Sequence, residues 1–498
     1  MKLSQLLDGV LVAKLFQTMY GRLVVTHDVE VRSVQHDSRK VGRGDCFVAI
    51  RGLDADGHRF VPDAISQGAS VVVLEDDRAY PDSYFMHSGT IKVVVCDSRK
   101  ALARMSANLF GNPSRDLTMV GVTGTNGKTT TTWLIQSILE AAKTRTGLIG
   151  TIDYRIGDQS YPARFTTPES VELNELLVEM KQAGCKAVSM EVSSHALQQS
   201  RVYGISFDAA VFTNLTQDHL DYHKTMEEYF KAKKILFDNL ESSSWAIINI
   251  DDPRGQTLLS TGAAQRLSYG FDATADVRAV DARFSVEGTS VTIRHKGNDH
   301  TVSSPLAGRF NAYNILASYA AAMALGVPPE AAERGIGNLK SVRGRLERIS
   351  SPKGWTAFVD YAHTPDALEK CLGSIREILP EGSRGRMITV FGAGGDRDVS
   401  KRPQMGKIAS ALSDIVLVTS DNPRTENPEA IIDAIVKGIP EGTNVIRMVD
   451  RKEAILHALD IARAGDVILI AGKGHEEYQV IGKEKKPFSD RAIVDSLL

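Results

Sequence analysis

The stretch Gly121–Thr132 reads GVTGTNGKTTTT. It follows the apolar run LTMV and precedes the helix-length segment WLIQSIL, so it reads as strand, glycine-rich turn and helix. In such a turn the backbone N–H groups of Gly124, Thr125, Asn126, Gly127, Lys128, Thr129 and Thr130 can converge on phosphate oxygens. The positive end of the new helix adds to their pull. Lys128 then reaches the outer phosphates, and the Thr129 hydroxyl meets Mg2+. The spacing is a variant of the strict phosphate-loop pattern, whose first glycine would fall on Val122; here it sits one earlier, at Gly121. The plainer alternative is a glycine turn capping a helix. Glycine, lysine and threonine in this order between strand and helix favour the phosphate loop.

The rest of the chain gives that loop a setting. With 498 residues, 42% of them hydrophobic, it is too long for one ordinary domain, and about three are expected. Lys+Arg 59 against Asp+Glu 61 leaves a net charge of -2. No broad basic field is available for nucleic acid or a membrane surface, so anionic ligands must be held by local groups. The opening MKLSQLLDGVLVAKLF lacks the long apolar core of a signal peptide. No apolar run approaches the roughly 20 residues that cross a bilayer. Cys46, Cys96, Cys185 and Cys371 are scattered, which suggests buried, reduced thiols rather than a disulfide framework or metal site. A soluble cytoplasmic protein is expected.

Short apolar runs such as ASVVVLE, KAVSMEV, WAIINI, RMITVFG, DIVLVTS and DVILIAG alternate with helical patterns. That alternation predicts an α/β fold of parallel sheets with crossover helices. Breaks at GNPSRD and near LKSVRGRLERI divide it into 1–113, 114–342 and 343–498. Between about 277 and 303 the pattern alternates and predicts a small antiparallel hairpin inserted in the middle domain. The tetrapeptide DSRK occurs at 37–40 and 97–100, a coincidence rather than a repeat.

Glu191 ends an apolar strand pattern, where a carboxylate beside a phosphate loop is placed to hold Mg2+. A polar turn with His219 and His223 follows a second strand end, and at least one could be a ligand. By charge alone, Lys233 in KAKK belongs to a solvated face.

The ordered series GVTGTNGKTTTT, MEVSSHAL, TNLTQDHLDYH, YFKAKKILF, GRFNAYNILA, GRLERI, VDYAHTPDAL, FGAGGDRDVSKRP, SDNPRTENP and AGKGHEEYQ resembles the Mur ligases of bacterial cell-wall synthesis over nearly the whole chain. The resemblance is nearest to the branch that adds the third residue of the peptide. It implies a first domain that binds UDP-N-acetylmuramoyl-L-alanyl-D-glutamate, a central P-loop ATPase-like domain that binds ATP, and a C-terminal Rossmann-like domain that closes over the nucleotide and brings the amino acid. It also implies phosphorylation of the D-glutamyl γ-carboxylate, then attack by an amine on the acyl phosphate. A monomer is expected, with no nucleic-acid or membrane partner.

Residue by residue, the resemblance makes Lys128 the group that steadies the transferring phosphoryl. It makes Thr129, Glu191 and His219 metal ligands, and Lys233 a carbamylated lysine that joins them. Asn314 falls on the adenine side, and Arg345, Asp360 and His363 are the C-terminal contribution to the nucleotide. The UDP substrate would meet Ser38, the loop Leu53, Asp54 and Ala55, then Thr166, Thr167, Ser193, Gln199 and Arg201. Serine and threonine there could also merely cap turns. The DNPR turn (Asp421, Asn422, Pro423, Arg424) matches the meso-diaminopimelate type, with Arg397, Gly472 and Glu476 completing that site. A guanidinium can grip the extra carboxylate that lysine lacks. A folylpoly-γ-glutamate synthetase and a non-catalytic nucleotide-binding protein are the rival readings.

Overall fold

A computed structural model describes residues 1–19, 22–23, 28–52, 55–379 and 385–498. Three separate sheets of five, eleven and six strands follow one another along the chain, each with its own helices. In the central sheet the strand Thr118–Thr123 lies between Ala187–Glu191 and Ala209–Phe212, all parallel. Helices cover both faces, so these strands are buried throughout and read as near-continuous apolar runs. The sheet is not purely parallel. The alternating segment forms three strands, Val277–Ser285, Gly288–His295 and Asn298–Ser304, antiparallel to one another, the first of which joins the edge of the same sheet in parallel. It is therefore a sheet extension, not an inserted hairpin, because Val277 and Arg278 pair directly with Tyr269 and Gly270.

In the helix Lys128–Ala141 four threonines follow the first residue, and threonines are poor helix formers because their χ1 is restricted. Burial overrides that propensity: Thr129 to Thr132 are all buried, and the Thr132 hydroxyl donates to the Thr129 carbonyl (2.8 Å). The C-terminal sheet centres on Val467–Ala471 and Met387–Phe391, parallel neighbours, with one antiparallel edge strand, Glu347–Ser350. The two DSRK copies adopt different structures, a 3-10 turn at Ser38–Lys40 and the start of the helix Ser98–Leu109. In both, the aspartate side chain accepts a backbone N–H of the new turn. Cys46, Cys185 and Cys371 are buried free thiols; Cys96 is exposed, just past the end of Ile91–Val95 where the chain leaves the sheet.

The join between the second and third sheets is short. Val342 is buried against Trp133, Leu148 and Ile152 of the central domain. Two residues later, Gly344 donates its N–H to Glu347 (2.9 Å) and accepts one from Tyr361 (3.0 Å). Its φ is +61°, and a Cβ there would lie 2.1 Å from the His475 nitrogen. Among the described residues no helix is long and apolar enough to cross a membrane.

Candidate functional site

The turn after Thr118–Thr123 is held from below by the neighbouring strand end. Asn214 accepts N–H bonds from Thr125 through its carbonyl (2.8 Å) and from Asn126 through its side chain (3.0 Å). The Thr213 hydroxyl donates to the Asn126 carbonyl (2.7 Å). Two glycines make this approach possible. A Cβ at Gly124 would sit 1.8 Å from the Thr213 hydroxyl, and one at Gly127 would sit 2.5 Å from the Asn314 amide oxygen. Lys128 folds back over the turn, its Nζ donating to the carbonyls of Gly124 (3.0 Å) and Thr125 (2.9 Å). Burial lowers the pKa of this ammonium, while the charges of Glu191 and Asp218 oppose that shift.

Lys233 corrects the reading by charge. It is buried, not solvated, because its helix Met226–Asp238 packs that face inward. Its Nζ donates to the Gly124 carbonyl (2.7 Å). Burial, and after it the charge of Lys128, pushes its pKa well below the ordinary value. Glu191 is also buried; its two oxygens accept the Thr151 N–H (2.8 Å) and hydroxyl (3.0 Å). His219 caps the short helix Leu220–His223 and meets His195 edge-on, with ring centroids 4.8 Å apart. His223 is buried and contacts the Ser194 hydroxyl (2.9 Å); it packs the cluster from behind. Burial, foremost, pushes both His195 and His223 down to about 4. Among the described residues no three His, Cys, Asp or Glu side chains form a ready metal cluster.

A cavity of about 890 Å³ joins these groups to the C-terminal domain. Gly127 to Thr130, Glu191, His219, Lys233 and Asn314 line it from the central domain, and Arg345, Asp360 and His363 from the other. Arg345 reaches the Thr129 hydroxyl (3.5 Å) and lies over the Tyr361 ring (4.8 Å). Asp360 accepts the N–H groups of Leu346 (2.6 Å) and Ala362 (2.8 Å), and burial raises its pKa. His363 is lowered, again mainly by burial. The helix Pro365–Ile378 also faces the cavity through Ala367, Cys371, Ser374 and Glu377, a stripe not read from the sequence.

The residues carried over for the UDP substrate fall into two places. Thr167, Ser193, Gln199 and Arg201 form one network beside Glu191. The Thr167 hydroxyl donates to the Glu191 carbonyl (2.9 Å), and Arg201 donates to the Thr167 carbonyl (3.0 Å) and to Gln199 (2.8 Å). Thr166 joins through the Thr151 hydroxyl (3.1 Å). Ser38 is buried in the N-terminal domain. Its neighbour His36 lies near enough to Glu169 and Glu172 to feel their charge. Ala55 is exposed, and Leu53 and Asp54 lie outside the described residues.

In the third domain, Asp421, Asn422 and Pro423 are buried and Arg424 is half-buried, with φ at +52°. Arg424 Nη1 donates to the Gly395 carbonyl (2.6 Å). A side chain at Gly394 would meet this Nη1 at 3.0 Å and Arg397 Cγ at 3.8 Å, which places the two arginines around one point. Arg397 is exposed. Gly472 donates to the Asp360 carbonyl (3.0 Å) and packs against Asp421. Glu476 is already engaged by Asn422 (3.0 Å) and by Lys473 (3.0 Å), a fully buried lysine in the GKGHEEY motif that charge-pattern reading passed over.

A glycine-rich turn between strand and helix, opening onto a cavity that a second α/β domain completes, has the architecture of multidomain P-loop proteins. The comparisons with known proteins narrow that class. Family profiles match residues 30–109 (Mur ligase family, catalytic domain), 122–322 (Mur ligase middle domain) and 344–474 (Mur ligase, glutamate ligase domain). A relative from Gloeobacter violaceus is 48% identical over 93% of both chains, and one from Clostridium botulinum is 44% identical over 94% of this chain and 95% of its own. Both are named UDP-N-acetylmuramoyl-L-alanyl-D-glutamate--2,6-diaminopimelate ligase. A solved structure of a ligase of that name is similar with a TM-score of 0.70 and 32% identity, over 95% of this chain and 96% of that one. The chain belongs to the Mur ligase family. A folylpolyglutamate synthase from Mycobacterium tuberculosis shares the fold (TM-score 0.60, 20% identity) over 75% of this chain and 92% of its own.

Proposed function

We propose that this chain joins meso-2,6-diaminopimelate to UDP-N-acetylmuramoyl-L-alanyl-D-glutamate with ATP as co-substrate, in the cytoplasmic stage of peptidoglycan synthesis. The observation that carries the reading is the shared cavity: the phosphate loop, Glu191 and Lys233 face Arg345, Asp360 and His363 across it. Relatives that match over more than nine-tenths of the chain and bear that substrate in their names support it. The domains 1–113, 114–342 and 343–498 would take the UDP substrate, ATP and the amino acid in turn.

In the first step an oxygen of the D-glutamyl γ-carboxylate attacks the γ-phosphorus of ATP, and the bond to ADP breaks. In the second the diaminopimelate amine attacks the acyl carbon; phosphate leaves and the nitrogen loses a proton. Lys128 would leave the carbonyls of Gly124 and Thr125 for the phosphoryl oxygens, and Arg345 would approach from the other domain beside Thr129. The Gly124–Thr130 backbone would orient the phosphates, Asn314 the adenine side, and Thr166, Thr167, Ser193, Gln199 and Arg201 the UDP substrate near Glu191. Arg424 would grip the distal carboxylate, with Arg397, Glu476 and the Asp421–Asn422 turn around it.

The residues present fit Mg2+. It takes hard oxygen donors, and Thr129, Glu191 and a carbamate on Lys233 are such donors, with His219 beside them. Carbon dioxide adds to a neutral amine, and burial shifts the Lys233 pKa in the direction of that form. Bound there, the metal supplies neutralisation of phosphate and carboxylate charge. The test is phosphate release from ATP. It is expected only when the UDP-dipeptide and meso-diaminopimelate are both present, and release independent of either would refute the reading. A Mg2+–nucleotide crystal structure with a bare ammonium at Lys233 would refute the carbamate.

A further inference from the structure

Asp366 is the second residue of the helix Pro365–Ile378 in the C-terminal domain. An acidic residue in a first turn ordinarily favours the helix N-terminus. Here the capping is done by its neighbour: the Thr364 hydroxyl accepts the Ala367 N–H (3.3 Å). The Asp366 carboxylate turns toward the central domain instead. One oxygen accepts the side-chain N–H of Asn126 (3.2 Å), the hydroxyl of Thr216 (3.0 Å) and the Lys370 ammonium (2.9 Å). Asn126 lies inside the phosphate loop, between Gly124 and Gly127. Thr216 is bonded to the same loop: its N–H donates to the Thr125 hydroxyl (3.0 Å), and its own hydroxyl is 3.2 Å from the Asn126 amide nitrogen. One carboxylate of the third domain thus fastens two anchor points of the loop.

We propose that Asp366 is a positioning residue of the ligation, a latch that seats the C-terminal domain on the phosphate loop so that Arg345, Asp360 and His363 arrive at the nucleotide together. The chemistry suits the task. Hydrogen bonds to a charged acceptor are stronger than neutral ones, while the bonds from Asn126 and Thr216 can break without stranding a charge, because Lys370 remains paired with the carboxylate. The latch can therefore open for exchange of nucleotide. The inference rests on the reaction proposed above.

The test is a double-mutant cycle in the full chain with Asp366→Ala and Thr216→Val. Each alone is expected to lower kcat/KM for ATP on the order of tenfold, with KM for the UDP-dipeptide unchanged. The double variant should fall by less than the product of the two single losses, because both remove the Asp366–Thr216 bond, while Thr216→Val alone also removes the bond to Asn126. Small-angle scattering with ADP should show a larger radius of gyration for Asp366→Ala than for the parent. If Asp366→Ala fails to fold, the same cycle with Asp366→Asn reads the coupling, and the Thr216→Val effect should shrink in that background. Independent, multiplying effects overturn the latch. So do an unchanged kcat/KM in Asp366→Ala, or equal loss for ATP and UDP-dipeptide together with a lowered melting temperature. Should no amino acid be ligated while Asp366→Ala still expands the ADP-bound chain, the proposed reaction fails and the latch stands.

Discussion

Replacing Arg424 with alanine separates the carboxylate of meso-diaminopimelate from everything that amino acid shares with lysine. A fully buried charge pair loses about 3–5 kcal/mol when one partner is removed. Arg424 does not reach that limit: it is half-buried, and Nη1 also serves the Gly395 carbonyl. Charged hydrogen bonds of about 1.5–3 kcal/mol are the better scale, which is about 10- to 150-fold at 1.4 kcal/mol per tenfold. The kcat/KM for meso-diaminopimelate should fall by that factor in Arg424→Ala, and the weak activity with lysine should stay put. Arg424→Lys should recover little, since a point charge lacks the planar fork. The positive φ matters for the controls. Alanine is as strained there as arginine, whereas Arg424→Gly relieves the strain, so the glycine variant should be at least as stable and equally impaired. The assay is phosphate release across both amino acids, with thermal melts alongside. Equal losses for the two amino acids, or a parent enzyme that prefers lysine, would refute the assignment.

Lys128→Ala should abolish ligation while calorimetry still detects the UDP-dipeptide, whose proposed groups lie mainly outside the phosphate loop. Near-normal turnover would sink the loop assignment. His475 is held down to about 3, chiefly by burial and then by Arg345 and Arg343. The unfolded chain takes up that proton below about 6.5 and the folded chain only near 3, so stability should fall as pH drops through this window. Denaturant midpoints from pH 7 to 4 should slope less in His475→Gln. Arg451 and Asp490 form a fully buried pair (2.7 Å), and Arg451 also donates to the Ala471 carbonyl (3.0 Å). Arg451→Met should cost about 3–5 kcal/mol in chemical unfolding by stranding the carboxylate, and adding Asp490→Leu should restore most of it.

The strand, glycine turn and helix around Gly121–Thr132 were legible because their physics is local: all three lie within a short stretch of chain. Glu191 was legible as a strand end for the same reason. The domain-spanning cavity came from matching whole motifs, since nothing in the sequence near Arg345 points to Thr129. Lys233 defeated a reading by charge because its burial comes from tertiary packing of its helix against the loop. Asp366 was invisible because its partner Asn126 is 240 positions away. Lys473 stood inside a quoted motif, but only the fold shows that it is buried against Asn422 and Glu476.

The join at residues 342–344 limits how the enzyme can move. Val342 belongs to the core of one domain, and Gly344 is wedged under the His475 loop of the other. Two Cα steps of about 3.8 Å each separate those anchors, so at this point the domains stay within about 8 Å of each other. Opening must then be a swing, like a jaw on a tight pin, and not a drift apart. Arg345 sits just beyond the pin, on the moving side, where rotation produces the least travel. Groups of the third domain farther from the pin sweep wider arcs. The side of the cavity away from the pin should therefore gape farther than the side beside it.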